Sequence, residues 1–497
     1  MSTETVEIQA QEGIFEGLAK QNLKFHQCVA ELVDNAIASS SEQEKFTIEI
    51  AMNRDENDES VVHLWISDNC GGMTLDIFKA ALQPGEPATT ESRLNEHGFG
   101  MKNSLATLSD NNGYWKVWTT PDEGDSVFST EGPFEKIMEV DNDSRLPDED
   151  FLPTDVSTVI HVPVNLSFIQ TVQGRGAPAK DLSKLRSWLV EHLGVFYRGF
   201  LGVDPGPPDG SISVWIGGDR QHVQPIQVPM ANSDIEYFDI ELGGGMFEIE
   251  YEFGTLDEHR VQSVVDGGKA KAYYQGNQRT QGIDIRLGSR TIATNQLSNI
   301  WNEEGGETQL ETHNRFNDFI GELRIPGDVP RGTLTTTNDK TDFNLDDDGW
   351  RNIFDRLNED DKLRPIEKAR TQTEKQLRED WIQKLEDTRP DDELSDERHV
   401  WPPGTRVDVF QETNNGRVII YELKAGSGTP QNLYQLMMYW DGLVLEDTYP
   451  DKGILLVEDY GSNLESMANM INKELSPPGE SSEYNIIIQK HSERGLE

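Results

Sequence analysis

Cysteine is nearly absent. Cys28 and Cys70 are the only two in 497 residues, too few for a disulfide framework or a cysteine-based zinc site. Long apolar runs are missing too: nothing approaches the roughly 18 apolar residues of a membrane-spanning helix. The opening "MSTETVEIQA" has no basic-then-apolar signal pattern, so a cytoplasmic, soluble protein with no membrane partner is expected. Positive charge is scarce, with 44 bases against 89 acids, a net charge of −45, and 20 lysines. The acids are spread along the chain rather than gathered in a tail. Such a surface repels itself in dilute buffer and is a lever used by halophiles, so it points to a salt-adapted, halophilic source such as a haloarchaeon. It does not exclude nucleic-acid binding, because salt at 1 M screens charges beyond about 3 Å.

What is present suffices for several cores. The length suggests roughly three domains. Periodicity predicts helix over 12–40 and 74–82, and strands at 46–52, 61–68, 114–120, 134–140 and 157–164. Helices on one face of a mostly antiparallel sheet follow, an α+β class. Residues 83–97, "QPGEPATTESRLNEH", read as a loop. An amphipathic helix over 181–201 opens a second mixed region to about 345. A charged helical stretch over 351–388 leads to "RPDDELSDE", read as a linker, and a smaller α/β unit begins near 398. There is no internal repeat.

In "VAELVDNAIASS" (29–40), Val29, Leu32, Val33, Ala36 and Ile37 form the buried stripe of a helix. Glu31, Asp34 and Asn35 then share a neighbouring patch, since residues at i, i+3 and i+4 face one way. Next comes "ISDNCGGMT" (66–74), a strand ending in Asp68 before a Gly-Gly pair. "HGFGMKNS" (97–104) follows, with Gly98 and Gly100 ahead of a helix, where free N–H groups suit phosphate oxygens. The spacing fits neither a Walker A loop nor a G-x-G-x-x-G fingerprint.

In this order "ELVDNA", "DNCGGM", "GFGMK" and "STVI" resemble the boxes of the GHKL ATPase superfamily, which includes gyrase B, MutL, the ninety-kilodalton heat-shock chaperones, histidine kinases and MORC proteins. The resemblance spans roughly 10–345. It implies a Bergerat-type ATP-binding α/β sandwich at 1–178 and an α/β transducer domain at 179–345, whose lysine loop "TTTNDKTDF" (335–343) looks like that of MutL and MORC. ATP and Mg²⁺ are the implied cofactors. By the same resemblance Glu31 is the general base that orients the attacking water, and Asn35 ligates Mg²⁺ through its amide oxygen. Asp68 accepts the adenine amino group, supported by Thr158. Gly72, Met73, Gly98, Gly100, Met101 and Lys102 surround the nucleotide, and Lys340 reaches the γ-phosphate from the transducer. Asp34 is open between a structural hydrogen bond and a direct role. Loop 83–97 is the implied lid, whose closure accompanies dimerisation. Two positions depart from the pattern: Ser157 and Cys70 stand where the family has glycine. A cysteine held at φ > 0 costs about 1 kcal/mol or more.

"TRVDVFQETNNGRVIIYELKAGSGTPQNLYQLMMYWDGL" (405–443) reads as a hairpin followed by a helix. Glu422 and Lys424, two apart on a strand, face one way. A three-residue loop Asn414-Asn415-Gly416 puts Asp408 opposite Glu422 on that face; a two-residue Asn415-Gly416 turn points it away. Asp-x13-Glu-x-Lys with the following "YQLMMYW" resembles the PD-(D/E)xK nucleases of the RecB-like branch. That resemblance implies a restriction-endonuclease-like domain at 398–497, joined by a helical linker over 346–397. It implies Mg²⁺ on Asp408 and Glu422, water activation by Lys424, and Gln435 and Tyr439 facing the site. Glu374 and Glu379 are both candidates for the upstream helix acid. Together the two resemblances imply an ATP-gated nuclease acting on DNA, dimeric when ATP is bound and serving with partner proteins in restriction, antiviral defence or repair. The alternative is a MORC- or chaperone-like clamp that grips DNA or protein without cutting. His63, His161 and His313 lack ligand spacing, and the ten tryptophans form no stripe along the sequence.

Overall fold

The computed structural model describes residues 17 to 494, apart from 18–19, 21, 41–44, 84–93, 95–97, 122–125, 175, 203–208, 258–259, 262–270, 302–309, 336–342, 344–346, 366–373, 401–405 and 479–482, and apart from the side chains of 374–376 and 396–397. The chain is mixed α+β and divides into two compact units, residues 1–367 and 368–497.

The first unit holds two sheets. Helix α1 (Phe25–Ser39) buries the predicted stripe: Val29, Leu32, Val33, Ala36 and Ile37 are all inaccessible or nearly so. Strands β1 (Phe46–Arg54) and β2 (Val61–Asp68) form a hairpin. Helix α2 (Leu75–Leu82) is capped by the Thr74 hydroxyl, which accepts from Ile77 N. Helix α3 (Gly100–Leu108) packs beside α1. Strands β3 (Lys116–Thr119), β4 (Phe128–Glu131) and β5 (Thr158–Asn165) follow, then helix α4 (Leu182–Phe196) and strands β6 (Gly210–Ile216) and β7 (Asp219–His222). The seven strands run β4-β3-β5-β2-β1-β6-β7, antiparallel except where β6 joins β1. Apolar residues of α1, α3 and α4 close one core on this sheet.

Two local expectations differ. Residues 134–140 form no strand; Pro133 follows a cis bond from Gly132, and the β3 partner is β4, just upstream. Strands β6 and β7 also extend the first sheet well beyond residue 178, since the parallel register of β6 on β1 gives them paired backbone.

The second sheet comprises β8 (Met230–Leu242), β9 (Gly245–Leu256), β10 (Gly282–Leu287), β11 (Arg290–Gln296) and β12 (Phe319–Ile325), in the order β11-β10-β12-β9-β8. Helix α5 (Asp348–Glu359) covers it with Trp350, Ile353, Phe354 and Leu357. Thr335, at the head of the lysine loop, donates to the Asp347 carboxylate from N (2.9 Å) and Oγ1 (3.1 Å).

The second unit is a five-stranded sheet, β13 (Glu393–His399), β14 (Arg406–Glu412), β15 (Val418–Leu423), β16 (Lys452–Val457) and β17 (Ile486–Lys490), in sequence order. Helix α6 (Glu374–Thr388) lays Leu377, Trp381 and Leu385, spaced i, i+4, i+8, against Val409, Tyr421 and Leu423. Helices α7 (Pro430–Leu445) and α8 (Ser462–Glu474) pack in the other core and make the parallel crossovers β15–β16 and β16–β17. The stretch that reads as a linker supplies β13 instead, its polar residues tolerated on a sheet edge.

Candidate functional site

Glu31 and Gly100 meet where α1 passes α3. Glu31 is buried, and a methyl group on Gly100 would lie 2.0 Å from its Oε2, so only glycine at the start of α3 leaves room for the carboxylate. One turn on, Asn35 has a buried amide nitrogen with no hydrogen-bond partner, a donor that suits a nucleotide oxygen, while its amide oxygen is the atom that suits a cation.

Asp34 does not join them. It is fully buried and accepts from the Tyr197 hydroxyl (2.8 Å), Arg290 Nε (2.9 Å) and Arg290 Nη2 (3.3 Å). Of the two roles open to it, the structure shows the structural one.

Asp68 ends β2, fully buried, with Cys70 N donating to Oδ1 at 2.9 Å; burial pushes its carboxyl up to about 7. Asp68 faces Thr158 in the β2–β5 register, and Ser157 N donates to its carbonyl at 2.7 Å. The Thr158 hydroxyl lies 3.4 Å from that of Thr119, which accepts from Met73 N at 2.8 Å. Thr158 therefore reaches the glycine loop through Thr119. Sequence reading missed Thr119, whose one signal is its place at the end of a strand beside the "STVI" box. Ser157 has a use for its hydroxyl, accepting from Gly71 N at 3.2 Å. Cys70 carries no left-handed strain: the positive φ values fall on Gly71 (86°) and Gly72 (59°), and a Cβ on Gly72 would stand 1.9 Å from Thr120 O. The Cys70 thiol is pushed far up by burial and by Asp68.

Gly98 adopts φ 62°. Lys102, buried on α3, donates from Nζ to the Gly98 carbonyl at 2.6 Å, so the lysine holds the loop it follows. Met73 and Met101 are half-buried against the core. Lys340 and most of loop 83–97 lie outside the described residues.

In the second unit β14 and β15 are joined by the three-residue loop Asn414-Asn415-Gly416. Thr413 N donates to Arg417 O at 2.8 Å, and Gly416 supplies φ 75°. The register Val409↔Tyr421 places Asp408 beside Glu422. Asp408 Oδ2 accepts from Leu423 N at 2.8 Å; burial raises Asp408, and burial with the Asp408 charge pushes Glu422 up to about 8. Lys424 Nζ lies 2.8 Å from Glu422 Oε1, and Arg378 Nη1 4.0 Å from Asp408 Oδ1. Gln435 Nε2 donates to the Tyr439 hydroxyl at 2.6 Å, and burial together with Glu422 pushes that phenol up to about 12. The structure thus brings Asp408, Glu422, Lys424, Gln435 and Tyr439 together. On α6 it is Arg378 that reaches Asp408; Glu379 is exposed, and the Glu374 side chain lies outside the described residues.

Two carboxyls pressed together with raised affinity for protons suit a divalent cation, which would relieve their repulsion. Among the described residues, however, no three His, Cys, Asp or Glu side chains converge as a metal site. No described helix is long and apolar enough to cross a membrane.

Cross-strand register does create an aromatic ladder invisible in the linear sequence: Trp65 stacks on His161 (4.0 Å) and Trp118 (6.2 Å), and His63 Nδ1 lies 3.0 Å from His161 Nε2.

Comparison with curated proteins gives no match. Residues 20–135, which hold α1, the glycine loop after β2 and α3, match the family described as Histidine kinase-, DNA gyrase B-, and HSP90-like ATPase, and this match of a GHKL-type ATPase domain is evidence for ATP binding and hydrolysis by this stretch of the chain.

Proposed function

We propose that the chain is an ATP-dependent DNA-processing protein in which nucleotide turnover in the first unit gates magnesium-dependent cleavage by the second. The observation that carries the second half is the Asp408–Glu422–Lys424 cluster beside the Gln435–Tyr439 pair. Bound ATP would place its adenine on the Asp68 carboxylate and its phosphates along Gly98, Gly100 and Lys102. Glu31 would orient the attacking water, and the Asn35 amide oxygen would hold Mg²⁺, which neutralises phosphate charge when bound. Lys340 would sense the γ-phosphate. In the second unit Asp408 and Glu422 would hold Mg²⁺, Lys424 would stabilise the attacking hydroxide, and Gln435 and Tyr439 would position the scissile phosphate. In this proposal β6 and β7 belong with the nucleotide-binding part, and α6 and β13 with the nuclease-like part. ATP-driven dimerisation, partner proteins, a role in restriction, antiviral defence or repair, and a salt-adapted cytoplasm belong to it as well.

A second reading, a clamp that binds DNA or protein without cutting, is favoured by Arg378, a cation where the upstream acid is expected, being the α6 side chain that reaches Asp408. Plasmid cleavage at molar salt with Mg²⁺, with and without ATP, separates the two. Cleavage in the wild type that Asp408→Ala or Lys424→Ala abolishes while ATP hydrolysis survives supports the nuclease. Intact plasmid under all conditions supports the clamp.

A further inference from the structure

Between the start of α1 and residues 271–280 lies a cavity of about 230 Å³ whose lining runs against the charge of the molecule. Acids outnumber bases two to one in the chain, yet among the described residues the lining contains Lys24, Lys271 and Arg279 and neither Asp nor Glu. Of the three, Lys271 acts electrostatically on the Glu191 carboxylate. Glu191, behind the wall, spends its carboxylate on the backbone N–H groups of Lys271 (3.0 Å), Ala272 (2.7 Å) and Tyr273 (3.2 Å), which fastens this segment in place.

The floor is a pair of imidazoles, His26 and His192, stacked at 3.8 Å with planes 3° apart. His192 is committed at both nitrogens. Its Nε2 donates to the Val172 carbonyl (3.0 Å), which leaves Nδ1 to accept from the Tyr273 hydroxyl (2.7 Å). His26 is different: only 8% of its surface is exposed, and its Nδ1 has no hydrogen-bond partner. A buried polar atom left unpaired is costly. Burial keeps both rings neutral, and a neutral imidazole has one N–H to offer.

We propose that this cavity binds a small phosphate-bearing anion, inorganic phosphate or a phosphate monoester, held by Lys24, Lys271 and Arg279. Three separate cations around one cavity match a tetrahedral dianion better than a planar carboxylate, which matches a single guanidinium fork. The site is distinct from the nucleotide elements: Asp68, Gly72, Gly98, Gly100 and Lys102 take no part in its lining. It is adjacent to them in effect, because His26 and Glu31 ride on one helix and both line a neighbouring cavity with Arg290. An anion here restrains the helix that carries Glu31.

Calorimetry of the full chain without nucleotide, at fixed ionic strength, tests this with inorganic phosphate and, separately, with glycerol phosphate. One equivalent of either probe should bind. Tighter binding of glycerol phosphate would mark an ester site, and tighter binding of inorganic phosphate a free-ion site; both support the proposal. Arg279→Ala, an exposed residue whose loss leaves the core intact, and Lys271→Ala should each weaken binding roughly tenfold, the worth of one charge-assisted hydrogen bond. Saturating ADP and Mg²⁺ should leave phosphate bound. No binding of either probe, undiminished binding in both variants, or displacement by ADP would each overturn it.

Discussion

Asp34 Oδ1 and Arg290 Nε lie 2.9 Å apart, joining α1 to β11 across 256 residues of sequence. Both side chains are buried, the guanidinium also lies over the ring of Tyr197 at 4.7 Å, and the Tyr197 hydroxyl completes the carboxylate. The helix that carries Glu31 and Asn35 is thereby tied to the second sheet by a buried charge pair. Removing one partner strands the other. Asp34→Ala is expected to lower stability by about 3–5 kcal/mol, seen as a marked fall in melting temperature. A variant that melts like the wild type yet loses nucleotide affinity would show instead that Asp34 acts on the ligand.

Glu31→Ala should abolish ATP turnover and leave nucleotide binding, because it removes only the proposed base. Gly100→Ala should behave similarly for a steric reason: its methyl displaces the same carboxylate. A loss of turnover of about 100-fold, within the range for a positioned general base, with binding retained by calorimetry is the expected result. Wild-type turnover in either variant refutes the assignment.

The Asp68 carboxyl, pushed up to about 7 by burial, has a higher pKa folded than unfolded. Its contribution is therefore fully present below the unfolded value, near 3.9, and is lost as pH rises toward 7. Without nucleotide, Asp68→Asn should raise the melting temperature at pH 8 and leave it unchanged at pH 4. The same substitution should weaken ATP binding, since the amide offers no charge to the adenine amino group. An identical pH profile for variant and wild type would refute the burial argument.

Glu422, pushed up to about 8 by burial and by Asp408, follows the same sign: stability falls as pH rises from about 4 to 8. Glu422→Gln should be more stable than the wild type at pH 9. Magnesium should raise the wild-type melting temperature there by mass action and leave the variant unmoved. A magnesium shift equal in both proteins would place the cation elsewhere.

Deleting Asn415 should close the loop to a two-residue turn between the same Thr413 and Arg417 pair, which keeps the β14–β15 register and leaves Asp408 beside Glu422. A Glu422 titration like the wild type's with the unit still folded is the expected outcome; its loss would mean that the register had slipped and turned Asp408 away.

Much of this protein was legible along the chain because it depends on short-range rules. The i, i+3, i+4 stripe of Val29, Leu32, Val33, Ala36 and Ile37 is sufficient to make α1 and bury one face, and Gly71, Gly72 and Gly98 stand where the backbone is left-handed. Glu422 and Lys424 share a face because strands alternate. The direction of Asp34 was not legible: its partner, Arg290, is supplied by another sheet. The linker composition of 389–397 concealed β13, since an edge strand needs only a neighbour's backbone. The contact of Thr119 with the glycine loop, the Trp65–Trp118 stack and the basic cavity around His26 all arise from side chains far apart in sequence. Sequence determined the local elements and the chemistry each carries, because helix, strand and turn preferences are set by neighbouring residues. Tertiary structure alone decided which charges meet and which stay buried together, because register and packing, unlike periodicity, are properties of pairs of segments.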